Sequence, residues 1–233
     1  MRILVVNPNT TASMTEKIGA AARRVASAGT EIVAVNSLFG PDSIEGFYDE
    51  AMSLAGMLDV IRKASGYDAV VIACFDDTGL DAARCLTEKP VIGIGEAAYH
   101  MASMISNKFS VVTTLARSVP ALEHNLHRYG LIARCARVRS SEVAVLDLEH
   151  PGSDACNRIS AEIGRAVAED RAEAIVLGCA GMADLAESLA KDHGLPVLDG
   201  VTCAVGLAEA MVKLGLMTSR IGGYSPPPTH KAV

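Results

Sequence analysis

The sequence predicts an α/β protein built as two pseudo-symmetric αβα half-domains, each a mainly parallel four-stranded sheet flanked by helices, with a site in the cleft between them. Three observations carry this. Short apolar runs alternate with helix-period stretches along the chain, the pattern of parallel strands buried on both faces. One segment order occurs twice: DAVVIACFDDTGLDAARCLTEKPVIGIGEAAYHMA from Asp68 and EAIVLGCAGMADLAESLAKDHGLPVLDGVTCAVGLA from Glu173. Each runs from a buried strand through a cysteine to a helix, then to a Pro-Val strand and an apolar helix. The register of this repeat also holds, with Cys74 and Cys179 105 residues apart and Pro90 and Pro196 106 apart.

Element by element, Arg2–Val6 is a continuous apolar run and reads as a central strand. Thr11–Val25 reads as a helix, with Thr10 or Thr11 available to cap its free N–H groups. Thr30–Asn36 is the second strand, Ser37–Gly46 a long loop and Tyr48–Ala64 a helix. Ala69–Ala73 is a strand, Leu80–Leu86 a helix and Val91–Ile94 a fourth strand. The order then repeats: strand Phe109–Thr114, helix Val119–Arg128 ended by Gly130, strand Arg134–Arg139 and helix Asp154–Ala168. Strand Ala174–Leu177, helix Ala183–Lys191 and strand Val197–Leu198 complete the second half. Helices Glu96–Ser106 and Cys203–Leu214 follow the two fourth strands and could carry the chain between halves. On this basis residues 1–96 with 205–233 form the first half-domain and 97–204 the second. The tail GGYSPPPTHKAV is rich in Gly and Pro and reads as extended or loosely ordered.

Composition narrows the function. With 50% hydrophobic residues, no Trp and few Tyr or Phe, the core is packed from Ala, Val, Leu and Ile. A net charge of −6 without a Lys/Arg block argues against nucleic acid and against an anionic membrane surface as partners. MRILVV is too short for a secretory apolar segment, and no apolar run reaches membrane-spanning length, so a cytoplasmic protein is expected. The six cysteines include no C-x-x-C and read as free thiols; Cys85, Cys135, Cys156 and Cys203 read as packing or surface residues. The six histidines show no metal-ligand spacing, and no metal site is assigned. The loop after the first strand has no glycine, the GIG at Gly93–Gly95 lacks the rest of a dinucleotide motif, and there is no P-loop.

In parallel sheets, ligands bind beyond the carboxyl ends of the strands. Cys74 and Cys179 stand there, each before a turn into a helix. A helix N-terminus favours an anion, so both thiols are expected to ionise below the ordinary value, near 8.5. Asp76 and Asp77 would oppose this if they pointed inward. Either one caps the following helix and the other is solvated, or one accepts a hydrogen bond from a substrate N–H. Asn7 and Asn9 form an Asn-Pro-Asn turn whose amides suit a neutral polar ligand. Thr113 and Thr114 occupy the matching loop of the second half and could hold a carbonyl oxygen. Arg117 is either a carboxylate partner or a solvated side chain.

The segments NPNTTASM, SIEGFYDEA, ACFDDTGLDAAR, PVIGIGEAA, TTLARSVP and IVLGCAGM together resemble the hydantoin and allantoin racemases, within the wider aspartate/glutamate racemase group. The likeness runs in order over nearly the whole chain and stops before the Pro-rich tail. It implies cofactor-independent racemisation at the cleft and a homo-oligomer. By position, it assigns Cys74 and Cys179 as the catalytic pair. It places Asn7, Ile44, Phe75, Thr113, Thr114, Ala180 and Gly181 in the substrate-lining segments. Two turns depart from the amino-acid racemases, which carry C-N-T and G-C-T-H patterns where this chain has CFDDTG and GCAGM. That change disfavours a free amino acid and favours a neutral ring. Arylmalonate decarboxylases look related but use a single site cysteine, unlike the matched pair here.

The reaction so implied is racemisation of a 5-monosubstituted hydantoin, with allantoin as one candidate. One thiolate removes the C5 proton to give an enolate, and the opposite thiol protonates the other face. The substrate carbonyl is the electron sink, so neither metal nor pyridoxal is required. Other possibilities are an amino-acid racemase or a maleate isomerase on the same scaffold, a small-molecule binding protein, and a thiol redox sensor.

Overall fold

The computed structural model describes residues 1–150 and 152–228. Strands β1 (Arg2–Asn7), β2 (Glu31–Asn36), β3 (Ala69–Ile72) and β4 (Val91–Gly93) form a fully parallel sheet in the order β2-β1-β3-β4. Strands β5 (Phe109–Thr113), β6 (Cys135–Ser140), β7 (Ala174–Leu177) and β8 (Val197–Asp199) repeat it as β6-β5-β7-β8. The helices are α1 (Ala12–Val25), α2 (Phe47–Lys63), α3 (Leu80–Leu86) and α4 (Ile94–Ile105), then α5 (Val119–Arg128), α6 (Ala155–Asp170), α7 (Ala186–His193) and α8 (Gly200–Lys213). The two matched α/β halves expected from the repeat are present.

The continuous apolar runs are explained by burial on both faces. In β1, Ile3 and Val5 point into a central core, while Leu4 and Val6 point the other way, under α2 and α3. In β5, Val111 joins the same central core, and Val112 faces the layer of α6 and α7. Successive strand residues alternate faces, so two apolar layers need an unbroken apolar strand. The central core also takes Tyr99 from α4 and Ala204 from α8. Helix α4 follows the first sheet yet packs on β7 and α5 of the second, whereas α8 follows the second and packs on β3 and α1 of the first. The two helices also lie against each other.

Both start earlier than their periodicity predicts, and the capping chemistry shows why. Asp199 caps α8 in place, its carboxylate accepting from the Thr202 N–H at 2.8 Å. The matching position in the first half is Gly93, and here the carboxylate is delivered from a distance. Asp77 accepts from the N–H groups of Gly95 (2.9 Å) and Glu96 (2.8 Å) at the start of α4, and from the Tyr129 hydroxyl (2.7 Å). Each helix thus has one carboxylate on its exposed N–H groups, supplied from two different places. The GIG segment is the space this requires. A Cβ at Gly93 would lie 2.1 Å from Asp77 Oδ1, and one at Gly95 2.4 Å from the Phe75 carbonyl oxygen. Gly95→Ala is therefore expected to cost about 1–3 kcal/mol in urea melts, as overpacking does, and to slow turnover because the displaced carbonyl adjoins Cys74.

Three smaller expectations change. Thr11 stands at the start of α1 but its hydroxyl donates to the Asp42 carbonyl at 2.7 Å, and the cap is not made by its side chain. The second-half helix expected from Ala183 begins at Ala186, because Ala180–Met182 first winds a 3₁₀ turn. The tail is not wholly extended: Gly222–Tyr224 makes a 3₁₀ turn on α3, with the Tyr224 hydroxyl donating to Asp81 at 3.0 Å. Its last residues, 229–233, lie outside the described residues.

Candidate active site

The repeat places the two cysteines by the same hydrogen bond. The Ala73 N–H donates to the Val6 carbonyl and the Gly178 N–H to the Val112 carbonyl, each at 2.8 Å. Each bond holds the residue before a cysteine against the central strand of its own sheet, at its carboxyl end. A second matched pair, Ser37 N–H to Asn7 O (3.0 Å) and Ser141 N–H to Thr113 O (2.9 Å), fixes the neighbouring loops. Cys74 and Cys179, from opposite sheets, line one cavity. It is tight, about 40 Å³, and mostly apolar in its lining, with Phe75, Ile44 and Ala180 among its walls.

Contacts between the halves close the cavity. The Val145 N–H donates to the Glu45 carboxylate at 2.9 Å, and the Ser118 hydroxyl donates to the Glu45 carbonyl at 2.9 Å. The Ile44–Gly46 segment of the first half is thereby held on the second. From the other side, Asn125 of α5 donates to the Asp76 carbonyl at 2.6 Å and holds the turn after Cys74.

The residues expected to line the site divide into two groups. Ile44, Phe75, Thr113, Thr114 and Ala180 line the cavity with both cysteines. Asn7 and Gly181 do not. Asn7 is buried behind the cavity, its amide donating to Asn9 Oδ1 (2.8 Å) and Thr15 Oγ1 (3.0 Å), and it is Asn9 that reaches the cavity wall. Gly181 stands behind Cys179, where its N–H faces the sulfur. The Thr113 hydroxyl is committed to the Gly178 carbonyl at 2.9 Å, whereas that of Thr114 has no partner among the described residues. Arg117 is exposed, with its guanidinium over Gly46. Asp77 and Asp76 resolve unevenly. Asp77 caps α4 rather than α3, and Asp76 is half-buried: it lines the cavity and accepts from the Thr78 N–H (3.0 Å) and hydroxyl.

Sequence reasoning missed Met14, Ser118, Leu122 and Val145. Met14 and Leu122 sit in the opening turns of α1 and α5, where a count from the helix start could have found them, and Ser118 ends the 3₁₀ turn Ala116–Ser118 that leads into α5. Val145 belongs to a 3₁₀ turn, Val145–Glu149, in a segment without clear periodicity.

The electrostatics overturn the expected low thiol pKa. Burial pushes Cys179 up to about 11, opposed by the Gly181 N–H. Burial, then the Asp76 charge, drives Cys74 well above its ordinary value. The reason is geometric. α3 starts at Leu80, and the turn after Cys179 is a three-residue 3₁₀ segment, so neither sulfur sits on a full helix N-terminus. Desolvation is then the larger effect. Burial also pushes Glu50, beside Asp76, up to about 7. At pH 8, iodoacetamide is expected to modify Cys179 before Cys74, after the exposed Cys156. The Cys179 rate should climb about tenfold per pH unit below its pKa, because only the thiolate reacts; peptide mass spectrometry resolves the order. Among the described residues no group of three or more His, Cys, Asp or Glu side chains is arranged to hold a metal, and no helix is long and apolar enough to cross a membrane.

Two parallel α/β lobes that each contribute a thiol to one cavity define a class of scaffold, and comparison with known proteins places the chain within it. The Asp/Glu/Hydantoin racemase family model matches residues 3–208. The chain is 50% identical over 229 residues to a hydantoin racemase of Rhizobium meliloti, covering 97% of this chain and 95% of that one. It is 47% identical over 229 residues to a hydantoin racemase of Pseudomonas sp. (strain NS671), covering 97% and 92%. The solved allantoin racemase from Klebsiella pneumoniae superposes with a TM-score of 0.96 at 48% identity, covering 98% of this chain and 94% of that one. The chain belongs to the Asp/Glu/Hydantoin racemase family.

Proposed function

We propose that this protein racemises 5-monosubstituted hydantoins, allantoin among the candidates, by two-thiol proton transfer at C5 without a cofactor. The observation that carries this reading is the pair Cys74 and Cys179, supplied by opposite sheets to one tight cavity. The relatives named hydantoin racemase and the solved structure named allantoin racemase supply the substrate class.

The C5–H lies beside the C4 carbonyl, so its removal leaves an enolate. One sulfur takes the proton as a thiolate, and the other, still a thiol, gives its own proton to the opposite face. For the mirror-image substrate the roles exchange. Of the two, Cys179 is the one whose thiolate forms more readily, because no carboxylate adjoins it within its own turn, whereas Asp76 opposes charge on Cys74. The Thr114 hydroxyl and the backbone N–H groups after the cysteines are the donors available to a developing enolate oxygen. The same reading makes the protein a cytoplasmic homo-oligomer, with residues 1–96 and 205–233 on one side of the site and 97–204 on the other. The exposed Leu38, Phe39, Phe47, Tyr48 and Met52 support self-association.

The reading is tested by incubating enantiopure allantoin and enantiopure aliphatic and aromatic hydantoins in deuterated water. Loss of optical rotation together with deuterium at C5 is expected for at least one of them. Retention of both rotation and C5–H across the panel would sink it.

A further inference from the structure

Asp76 is a carboxylate in the wall of an otherwise mostly apolar cavity, and the reaction outlined above leaves it without a task. Its position is built. The Thr78 N–H (3.0 Å) and hydroxyl hold Oδ1, and Asn125 holds its carbonyl at 2.6 Å. These contacts fix the side chain from the first half and the backbone of its turn from the second, and commit one carboxylate oxygen. The other, Oδ2, receives no hydrogen bond from an N–H or O–H of another described residue, and the Cys74 thiol and the Glu50 carboxyl lie near the group. The matching turn of the second half, Cys179-Ala180-Gly181, has no carboxylate, so this oxygen marks one wall of the cavity and not the other. A carboxylate there is costly in two ways: it is partly desolvated, and it discourages the ionisation of Cys74 on which acid–base work depends. An acceptor kept at that cost has a donor to meet.

We infer that Asp76 is a specificity-determining residue, whose free carboxylate oxygen accepts the substrate N–H bonded to the reacting carbon. The inference rests on the hydantoin reading and deepens it. A hydantoin carries two ring N–H groups: N1–H, bonded directly to C5, and N3–H, between the two carbonyls. Asp76 lies two residues from Cys74 on the same turn, and both line the cavity. If the Cys74 sulfur addresses C5, an acceptor beside that sulfur meets the adjoining N1–H rather than the distant N3–H. The same oxygen repels any carboxylate brought to that position, so it selects a neutral ring over a free amino acid. A site built to pair a buried polar group discriminates strongly against an analogue that leaves it unpaired.

The test uses the full-length protein with three substrates: a 5-substituted hydantoin that it racemises, its N1-methyl derivative and its N3-methyl derivative. For the wild-type protein, N1-methylation is expected to lower kcat/KM by about 10- to 100-fold, the worth of a hydrogen bond to a charged group, and N3-methylation to lower it much less. Asp76→Ala and Asp76→Asn should lose a similar factor on the parent hydantoin and show a sharply reduced N1-methyl penalty, which a purely structural role would not produce. A wild-type protein that tolerates N1-methylation, or variants that keep the whole N1 penalty, would overturn the inference. Should neither variant fold, the wild-type comparison of N1- with N3-methyl substrates still decides. If the wild-type protein racemises no hydantoin at all, the proposed function fails instead, so the two failures are distinct.

Discussion

Cys74→Ala and Cys179→Ala are each expected to abolish net racemisation while leaving the fold intact. A positioned acid or base contributes about 10²–10⁴-fold, and inversion needs one on each face of the carbanion, so losing either thiol stops the reaction. The folded state should survive, because both sulfurs border a cavity instead of filling a core gap. A sharper outcome follows from the remaining thiol. A protein with one sulfur can still remove a proton from the face it addresses and return a solvent-derived one to that same face. In deuterated water each single variant is therefore expected to exchange C5–H of one enantiomer without inverting it. The two variants should act on opposite enantiomers. NMR of C5–H alongside polarimetry reads this directly and shows which sulfur serves which hand. Racemisation by the double Ala variant at the unaltered rate would remove the thiols from the mechanism.

The second large effect concerns stability. Arg139, on β6, is 6% exposed and lies among three carboxylates. It donates to Glu162 at 3.0 Å, to Glu169 at 2.7 Å and to Asp170 at 2.5 and 2.6 Å. The side chains of Glu162 and Asp170 are only 6% and 7% exposed, while that of Glu169 is 54% exposed. The last pair is worth little, as exposed ion pairs are. Arg139→Met would leave Asp170 buried without its cation and Glu162 with only the exposed Arg165, and breaking such a buried pair costs about 3–5 kcal/mol. In a chain of this size that lowers Tm by on the order of 10 °C. Hydrogen bonds from Arg139 hold Asp170 below its ordinary carboxyl range. The native state thus binds fewer protons there than the unfolded one. The resulting stability is complete above about pH 4 and is lost as the pH falls through the native value. Arg139→Met should flatten that acid limb of the stability curve. Calorimetry between pH 3 and 7 checks both results, and turnover in the surviving folded fraction should change little, because Arg139 does not line the cavity.

The fold was legible where the sequence carries a period. The alternation of apolar faces in Arg2–Val6 and the repeat from Cys74 to Cys179 required no knowledge of tertiary structure. What failed was whatever depends on a partner far along the chain. The start of α4 was invisible because its cap, Asp77, is 18 residues away from Gly95. The Asn-Pro-Asn turn named the right element, but nothing local says that Asn7 turns back to Thr15 while Asn9 faces the cavity. The thiol ionisation was misjudged for a related reason. A sequence shows that a helix follows a cysteine, not how many turn residues intervene or how completely the sulfur is desolvated. Asp76 is the instructive case: its neighbours in sequence allowed three roles, and only the contacts from Thr78 show one carboxylate oxygen held and the other left open.

The interlaced helices also bear on synthesis. α8 is the last long helix of the chain, yet it completes the apolar layer over β3, a strand formed from its first third. Until α8 has been made, α1 alone of these two helices can cover that face of the N-terminal sheet, and the part over β3 stays open. Non-local closure of this kind slows folding, and a chain truncated before α8 is expected to expose the apolar surface over β3.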